Sequence, residues 1–469
     1  MAAGWKKGSV LAVDAGVGLS AITKILKNHK TEYFDDGIQL PITLANGPFE
    51  GLEIQHRTAK ANAAHVTRTL IDTCLLTHPH LDHINGFVVN TASLPGSRPK
   101  RLAGLPRTIE AIKNHIFNNI IWPNLSDENN GAGLVTYMRL VEGGSPALGD
   151  GDGKGYVEIC EGLSVKTWSV SHGHCIEKHS HRGSNAGISP LHLQTNESPR
   201  LRPRTSSSLQ MSPRRERRDT VSSQGNPDLL RTNSNETTFC VYDSSAYFIR
   251  DITTGSEVLI FGDLEPDSVS LSPRNKHVWS EAAPRIASGA LTGIFIECSY
   301  DDSQSTDTLF GHLAPRFLIE ELQVLAMQVE EACKGPGNDR GSRKRKRLSH
   351  ATADCHRPKS PRRPYSGDAV SPLSQPHPSK QFNEPRISVT SEDGIAEGNG
   401  HEYEGALPLR NKDDLPLKGV KVVIIHMKDK LNDGPHVGET ILGQLLEYEK
   451  EAQLGCEFVI SKVGMTLYL

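Results

Sequence analysis

The 469-residue chain is missing the marks of several protein classes. Its eight cysteines (74, 160, 175, 240, 298, 333, 355 and 456) never fall in a C-x-x-C pair. That removes the framework of a zinc ribbon or a dithiol redox motif and leaves scattered thiols of intracellular type. No stretch approaches the roughly 18 consecutive apolar residues of a membrane helix. Met1 to Val13 carries a lysine pair but no apolar region long enough for a secretory signal. Neither charge dominates, since 52 Lys and Arg face 55 Asp and Glu. An overall basic excess, as used to bind a nucleic-acid backbone, is therefore absent. The expectation is a soluble cytoplasmic protein, with a nuclear location left open by a basic tract near residue 345.

What is present concentrates in Thr77-His78-Pro79-His80-Leu81-Asp82-His83, directly after the apolar run Cys74-Leu75-Leu76. Such a run reads as a buried strand, and Pro79 turns His78 away from helix. The spacing H-x-H-x-D-H can serve two metals, one through His78 and His80 and the other through Asp82 and His83. Neutral imidazole and carboxylate are the usual ligands of open, catalytic zinc sites. The plain alternative is a His-rich surface loop with Asp82 as a helix cap. Placement right behind a buried strand weighs against it.

Along the chain, Val10–Gly16 reads as a strand and turn, followed by an amphipathic helix near 20–30. D-A-G-x-G at Asp14 is as compatible with ordinary strand-to-helix chemistry as with a phosphate cradle. A helix is expected over 58–70, a strand over 100–105 and a helix over 106–121 with Pro106 in its first turn. The polar loop 122–131 is a candidate lid or substrate wall. Strands follow over 134–141, 156–160 and 163–170. Residues 180–236 are Ser, Arg, Pro and Asn with almost no aromatics, too polar to repay ordering entropy. Arg214–Thr220 within them resembles kinase-accessible sequence. Order resumes in a hairpin ending at Val258-Leu-Ile-Phe-Gly-Asp263. Next come a helix near 278–288, the strand 293–297 and a helix from Pro315 to about Cys333. A second low-complexity insert, 334–416, carries Arg343-Lys-Arg-Lys-Arg347-Leu-Ser349, which reads as a solvated charge run, with a nuclear-localisation or kinase-target tract as the rival reading. A strand at 420–425, a helix near 439–453 and a strand at 457–461 close the chain. The domain expected is thus one catalytic unit in three parts, 1–179, 237–333 and 417–469, around two disordered inserts.

His172, Asp263 and His426 each stand at the end of an apolar strand, as the first motif does. Strand ends gathered on one rim put side chains on loops braced by a rigid scaffold. His174 competes with His172, which is preferred because Gly173 lets the backbone turn there.

At this point the sequence resembles the metallo-β-lactamase superfamily, through Thr77–His83, Ser171-His172-Gly173, Phe261-Gly-Asp263 and Ile425-His426 in that order. Val13-Asp14-Ala-Gly16, Phe295-Ile-Glu297-Cys-Ser299 and Leu309-Phe-Gly-His312-Leu-x-Pro315 look more particularly like the class II, fungal low-affinity type of 3′,5′-cyclic-nucleotide phosphodiesterase. The resemblance implies a four-layer αββα sandwich with two zinc ions on one rim, other divalent metals also suiting the donors. His78, His80 and His172 would hold one ion, and Asp82, His83 and His426 the other, with Asp263 bridging. Asp14 and Glu297 would support ligands from behind. Catalytic roles fall to Asp82 and to His312, the candidate general acid. The implied reaction is attack of a metal-held hydroxide on a cyclic nucleotide, cyclic AMP with cyclic GMP as a further candidate, giving a nucleoside 5′-monophosphate. Two rivals stay open: an RNA-processing phosphodiesterase of the same superfamily, and a non-catalytic scaffold displaying phosphorylatable inserts to protein kinases. The family pattern also places a strand and a glycine turn ahead of Val10. Only nine residues precede it here, so an unpaired sheet edge is expected.

Overall fold

The computed structural model describes residues 5–28, 39–93, 98–149, 151–177, 238–334 and 415–469. The insert expected at 180–236 lies outside these, as does that at 334–416 except for Lys334, Leu415 and Pro416, and so do Arg214–Thr220 and Ser349. No described helix is long and apolar enough to cross a membrane.

Two sheets form the centre. The first contains β1 (Val10–Val13), β4 (Ile71–Leu75), β5 (Lys100–Gly104) and β6 (Val135–Arg139), all parallel and in that order, with β1 at the edge. The second has seven strands: β7 (Val157–Cys160), β8 (Leu163–Glu177), β9 (Thr238–Asp251), β10 (Glu257–Phe261), β11 (Leu291–Glu297), β12 (Lys421–Ile425) and β13 (Glu457–Ile460). Pairing is antiparallel from β7 to β10 and parallel from β10 to β13. A two-stranded ribbon, β2 (Ile42–Thr43) with β3 (Glu53–Ile54), lies apart from both.

The period-2 alternation of strand side chains explains the layering. Tyr247 and Ile249 of β9, with Val258 and Ile260 of β10, join Leu75 and Ala103 of the first sheet in one core between the sheets. Their neighbours Phe248, Leu259 and Phe261 point the other way, onto α5 (Asn275–Ala287), α6 (Pro315–Lys334) and α7 (Val437–Ala452). Cys74 and Leu102 likewise face α3 (Leu81–Ser93) and α4 (Pro106–Ala111). α1 (Leu19–Asn28) and α2 (Ala59–His65) make a separate cluster with the ribbon. The result is the four-layer αββα sandwich that the resemblance implies. Strands buried on both faces have to be apolar throughout, which is why β10 to β12 read as unbroken hydrophobic runs.

Three expectations need correction. The helix expected over 106–121 stops early: α4 passes into a last wide turn, Ile112–Ile116. Asn118 then accepts from the amides of Ile120 and Ile121, and Asn119 turns left-handed at φ 60°. The 122–131 loop is no lid. Leu125 and Ser126 are buried, the loop pairs with β6 through Val135 N to Leu125 O at 2.9 Å, and Asn124 Nδ2 closes it onto Glu128 O. Finally, the strand expected to end at Val170 continues to Glu177 as β8.

Candidate metal centre

Parallel strands deliver all their C-terminal ends to one rim, and ligands gather there. Asp14 follows β1, Thr77 to His83 follow β4, Asp263 follows β10, Glu297 ends β11 and His426 follows β12. β8 runs in the same direction as β10, because each is antiparallel to β9. It overshoots the rim, so His172 is placed by a bulge and not by a strand end. Ser171 pairs with Asp243 and His174 with Val241, leaving two residues opposite Tyr242. Gly173 takes the positive φ of 76° that such a bulge demands.

The side chains converge on Asp263. One of its oxygens, Oδ2, lies 3.3 Å from His83 Nε2, 3.6 Å from His172 Nε2 and 3.7 Å from both His78 Nε2 and His312 Nδ1. The other lies 3.5 Å from His426 Nδ1, whose Nε2 is 3.4 Å from Asp82 Oδ2. Ligand-capable atoms fall into three tight groups: His78, His80 and His172; Asp82, His83, Asp263 and His426; and His172, Asp263, Glu297 and His312. Apart from His174, the residues singled out in the sequence meet here, with Asp14 directly behind. His174 does not join a group. It is exposed, on the wall of an adjoining cavity of about 500 Å³ that opens onto His80, His172 and His312.

The imidazoles of His78, His83, His172 and His426 are held from behind. Asp14 accepts from Thr77 N, Thr77 Oγ1 and His83 Nδ1, each at 2.8 Å. Since the Thr77 hydroxyl gives its hydrogen to Asp14, it accepts one from His78 Nδ1 at 3.0 Å. His172 Nδ1 donates to Gly311 O at 2.8 Å, and Ser299 Oγ lies 3.1 Å from His426 Nδ1. Hydrogens on Nδ1 leave the Nε2 lone pairs of His78, His83 and His172 facing the cluster, the arrangement metal-binding histidines need. Thr77, Ser299 and Gly311 sit inside motifs visible in the sequence, but nothing there signals these partnerships.

Backbone conformation supports the site as well. Of eight non-glycine residues at positive φ among those described, three (Asp14, Phe310 and His426) border it. Held strain of this kind clusters at functional sites. Asp14 begins the turn that grips α3: Ala15 N donates to His83 O at 2.7 Å, and a Cβ on Gly16 would lie 1.6 Å from Asp82 O. D-A-G is thus a clamp on the helix that carries Asp82 and His83. A second close approach joins His172 to His312, for a Cβ on Gly311 would meet Gly173 N at 2.7 Å.

Two atoms test whether a metal suits these residues. His78 Nε2 and His83 Nε2 are buried and make no hydrogen bond. A buried polar atom left without a partner is costly, and a divalent cation would use both lone pairs. The electrostatics of His78 and His172 agree, whereas His83 would give up a proton to the ion. Burial opposes charge on His83, yet the Asp14 and Asp263 carboxylates raise it to about 10. Burial pushes His78 well below its ordinary value and brings His172 down to about 4, so these rings are neutral donors. Against burial, His83, His426 and His78 hold the Asp263 carboxyl well below the usual range. The donor set fits divalent metal.

The remaining pair is Glu297 with His312. Glu297 is fully buried and accepts from His312 Nδ1 at 2.9 Å, from Leu264 N at 2.9 Å and from Ser299 Oγ at 2.5 Å. It therefore both orients His312 and braces a strand end. Burial lowers the His312 pKa, but Glu297 and Asp263 outweigh it and the net shift is upward. Lys428, which the sequence reading passed over, lies with Nζ 2.9 Å from His312 Nε2.

Comparison with known proteins gives a consistent picture. The family model described as cAMP phosphodiesterases class-II matches residues 8–335. A 3′,5′-cyclic-nucleotide phosphodiesterase of Schizosaccharomyces pombe is 27% identical over 321 residues, 68% of this chain and 68% of that one. One from Candida albicans is 26% identical over 417 residues, 82% of this chain and 84% of the relative. Among solved structures, unliganded yeast PDE1 superposes with a TM-score of 0.53 at 18% identity, covering 98% of this chain and 90% of that chain. This last likeness concerns the fold.

Proposed function

The chain belongs to the class-II cAMP phosphodiesterase family, and we propose on that premise that its rim cluster hydrolyses 3′,5′-cyclic nucleotides, cyclic AMP and cyclic GMP, to nucleoside 5′-monophosphates. The relatives from fission yeast and Candida bear that activity in their names. The observation that carries the reading is the pair of buried, unpartnered imidazole nitrogens of His78 and His83 beside Asp263.

His78, His80 and His172 would hold one ion, and Asp82, His83 and His426 a second, with Asp263 shared between them. Two zinc ions suit a set of imidazoles and carboxylates, and other divalent metals can use it. Bound there, such ions supply Lewis acidity toward phosphoryl oxygens and a water that is nucleophilic near neutral pH. The chain's own residues do the remaining work. Asp14, Thr77, Ser299 and the Gly311 carbonyl fix which imidazole nitrogen faces the substrate. The cavity of about 500 Å³ is of a size to take a nucleoside. Tyr242 and Phe310 on its wall offer aromatic faces to a base. The Glu297–His312 pair, next to His172 and Asp263, would serve the side of the site that the departing O3′ needs. In the balanced reaction the P–O3′ bond breaks, water oxygen bonds to phosphorus, and a hydrogen of that water ends on O3′. We place this activity in the cytoplasm, with the nucleus as the alternative that the basic tract Arg343–Arg347 leaves open.

The test is steady-state hydrolysis of 3′,5′-cyclic AMP by the zinc-loaded protein, with 5′-AMP quantified by chromatography. Turnover should vanish in the His78→Ala/Asp263→Ala double variant. A folded, metal-replete wild type that releases no 5′-AMP from either cyclic nucleotide would overturn the reading.

A further inference from the structure

Lys428 belongs to none of the metal-capable groups, yet its ammonium enters the site. The chain leaves β12 through His426, whose φ of 57° turns the backbone. Lys428 N is then pinned to Ser299 O at 2.9 Å. From that anchor Nζ passes 6.0 Å from the centre of the Tyr300 ring and stops 2.9 Å from His312 Nε2. Lys430, two residues on, is paired with Asp301 at 2.5 Å. Lys428 is different: among the described residues it makes no carboxylate pair, although it is half-buried. A lysine held without a counter-ion beside a metal cluster is placed to receive an anion.

Hydrogen-bond direction then decides what His312 can offer. An ammonium only donates, so His312 Nε2 accepts from Lys428. The imidazole hydrogen therefore sits on Nδ1, toward Glu297. In this arrangement His312 presents no Nε2 hydrogen to a substrate, and the hydrogens available from this side belong to Lys428.

We propose that Lys428 is a catalytic residue whose ammonium hydrogen-bonds the departing O3′ oxygen. Glu297 and His312 are positioning residues that hold it there. The inference rests on the phosphodiesterase reading above. Lys428 forms and breaks no covalent bond; its ammonium lowers the cost of charge on O3′ as the P–O3′ bond opens. A fixed donor aimed where charge develops contributes through preorganisation.

Leaving-group dependence provides the test. The ribose 3′ alkoxide is a poor leaving group and p-nitrophenolate a good one. Lys428→Met should therefore cut kcat for cyclic AMP by about 10²–10³-fold, the typical effect of removing one such donor, with KM changed far less. On bis(p-nitrophenyl) phosphate the loss should be clearly smaller. Lys428→Arg should recover part of the cyclic AMP rate. Metal content and melting temperature should match the wild type in both variants. Equal losses on the two substrates, or no loss on cyclic AMP, would overturn the proposal, because a structural role affects both alike. If the wild type cleaves the nitrophenyl diester but not cyclic AMP, the cyclic-nucleotide reading is what fails. Lys428 is then judged on diphenyl against bis(p-nitrophenyl) phosphate, where the same unequal loss is required.

Discussion

Removing Asp14 separates binding from folding at this site. Its carboxylate accepts three hydrogen bonds, two from Thr77 and one from His83 Nδ1. In Asp14→Ala the buried Thr77 N–H loses its acceptor, which costs about 1–3 kcal/mol of stability. The His83 ring loses the partner that fixes its tautomer, and such losses weaken metal binding by about 10–100-fold. Through the Thr77 hydroxyl the effect also reaches His78, but one bond further off. Under the proposed assignment, an ion at Asp82, His83 and His426 should consequently weaken most, and one at His78, His80 and His172 less. Asp14→Asn sharpens the comparison. Its amide oxygen still takes the Thr77 N–H, so stability should largely return. Its NH₂ group, presented to His83 Nδ1, favours the wrong tautomer, so the metal defect should persist. Competition with a chromophoric zinc chelator well below the melting temperature reads the two affinities, and thermal unfolding reads stability. If Asp14→Ala binds both ions as tightly as wild type, the argument that Asp14 acts by orienting His83 is refuted.

Two further outcomes follow from the same geometry. Gly311 has φ 80° and its added Cβ would meet Gly173 N, Gly173 Cα and His172 C within 2.8 Å, whereas Gly289, at φ 75°, has nothing within 4 Å. Both Ala substitutions should cost about 1 kcal/mol of stability for the conformation, but only Gly311→Ala should also lower kcat, by displacing His172 and His312; equal kinetics for the two would remove the case for that contact. In metal-stripped protein, His83 at about 10 lies above the roughly 6.5 of an unfolded histidine. Proton binding there favours the folded state, so its stabilisation is complete below about pH 6.5 and is lost as pH rises toward 10. Urea unfolding across that window should show stability falling with pH, and less steeply in Asp14→Ala; a flat profile in both proteins would contradict the role of the two carboxylates.

The parts of the site that could be read from the sequence share one cause. Thr77–His83, Asp263 and His426 follow parallel strands buried on both faces, and such strands announce themselves as apolar runs whose ends share a rim. His172 was legible as a residue but not in its setting, because a bulge depends on the pairing of β8 with β9 and leaves only Gly173 as a local trace. The early end of α4 turned on Asn118 and Asn119, which a pattern of apolar spacing passes over. Lys428, Ser299 and Thr77 escaped for another reason. Their roles are defined by partners distant in the chain, His312, His426 and Asp14, and no local signal encodes such a meeting.

The overshooting hairpin has a consequence for how this protein can vary. Glu177 lies opposite Thr238 in the β8–β9 ladder, so whatever chain joins them departs and returns at adjacent points. The closure cost of such a connection grows only with the logarithm of its length, about 0.6 kcal/mol per doubling. The ladder between those ends and His172 absorbs any change before it reaches the rim. That makes the tip an insertion port, where lineages can lengthen or rewrite the connection at little cost. An experimenter can use the same port to splice in a short turn or a reporter domain and leave the rim cluster where it is.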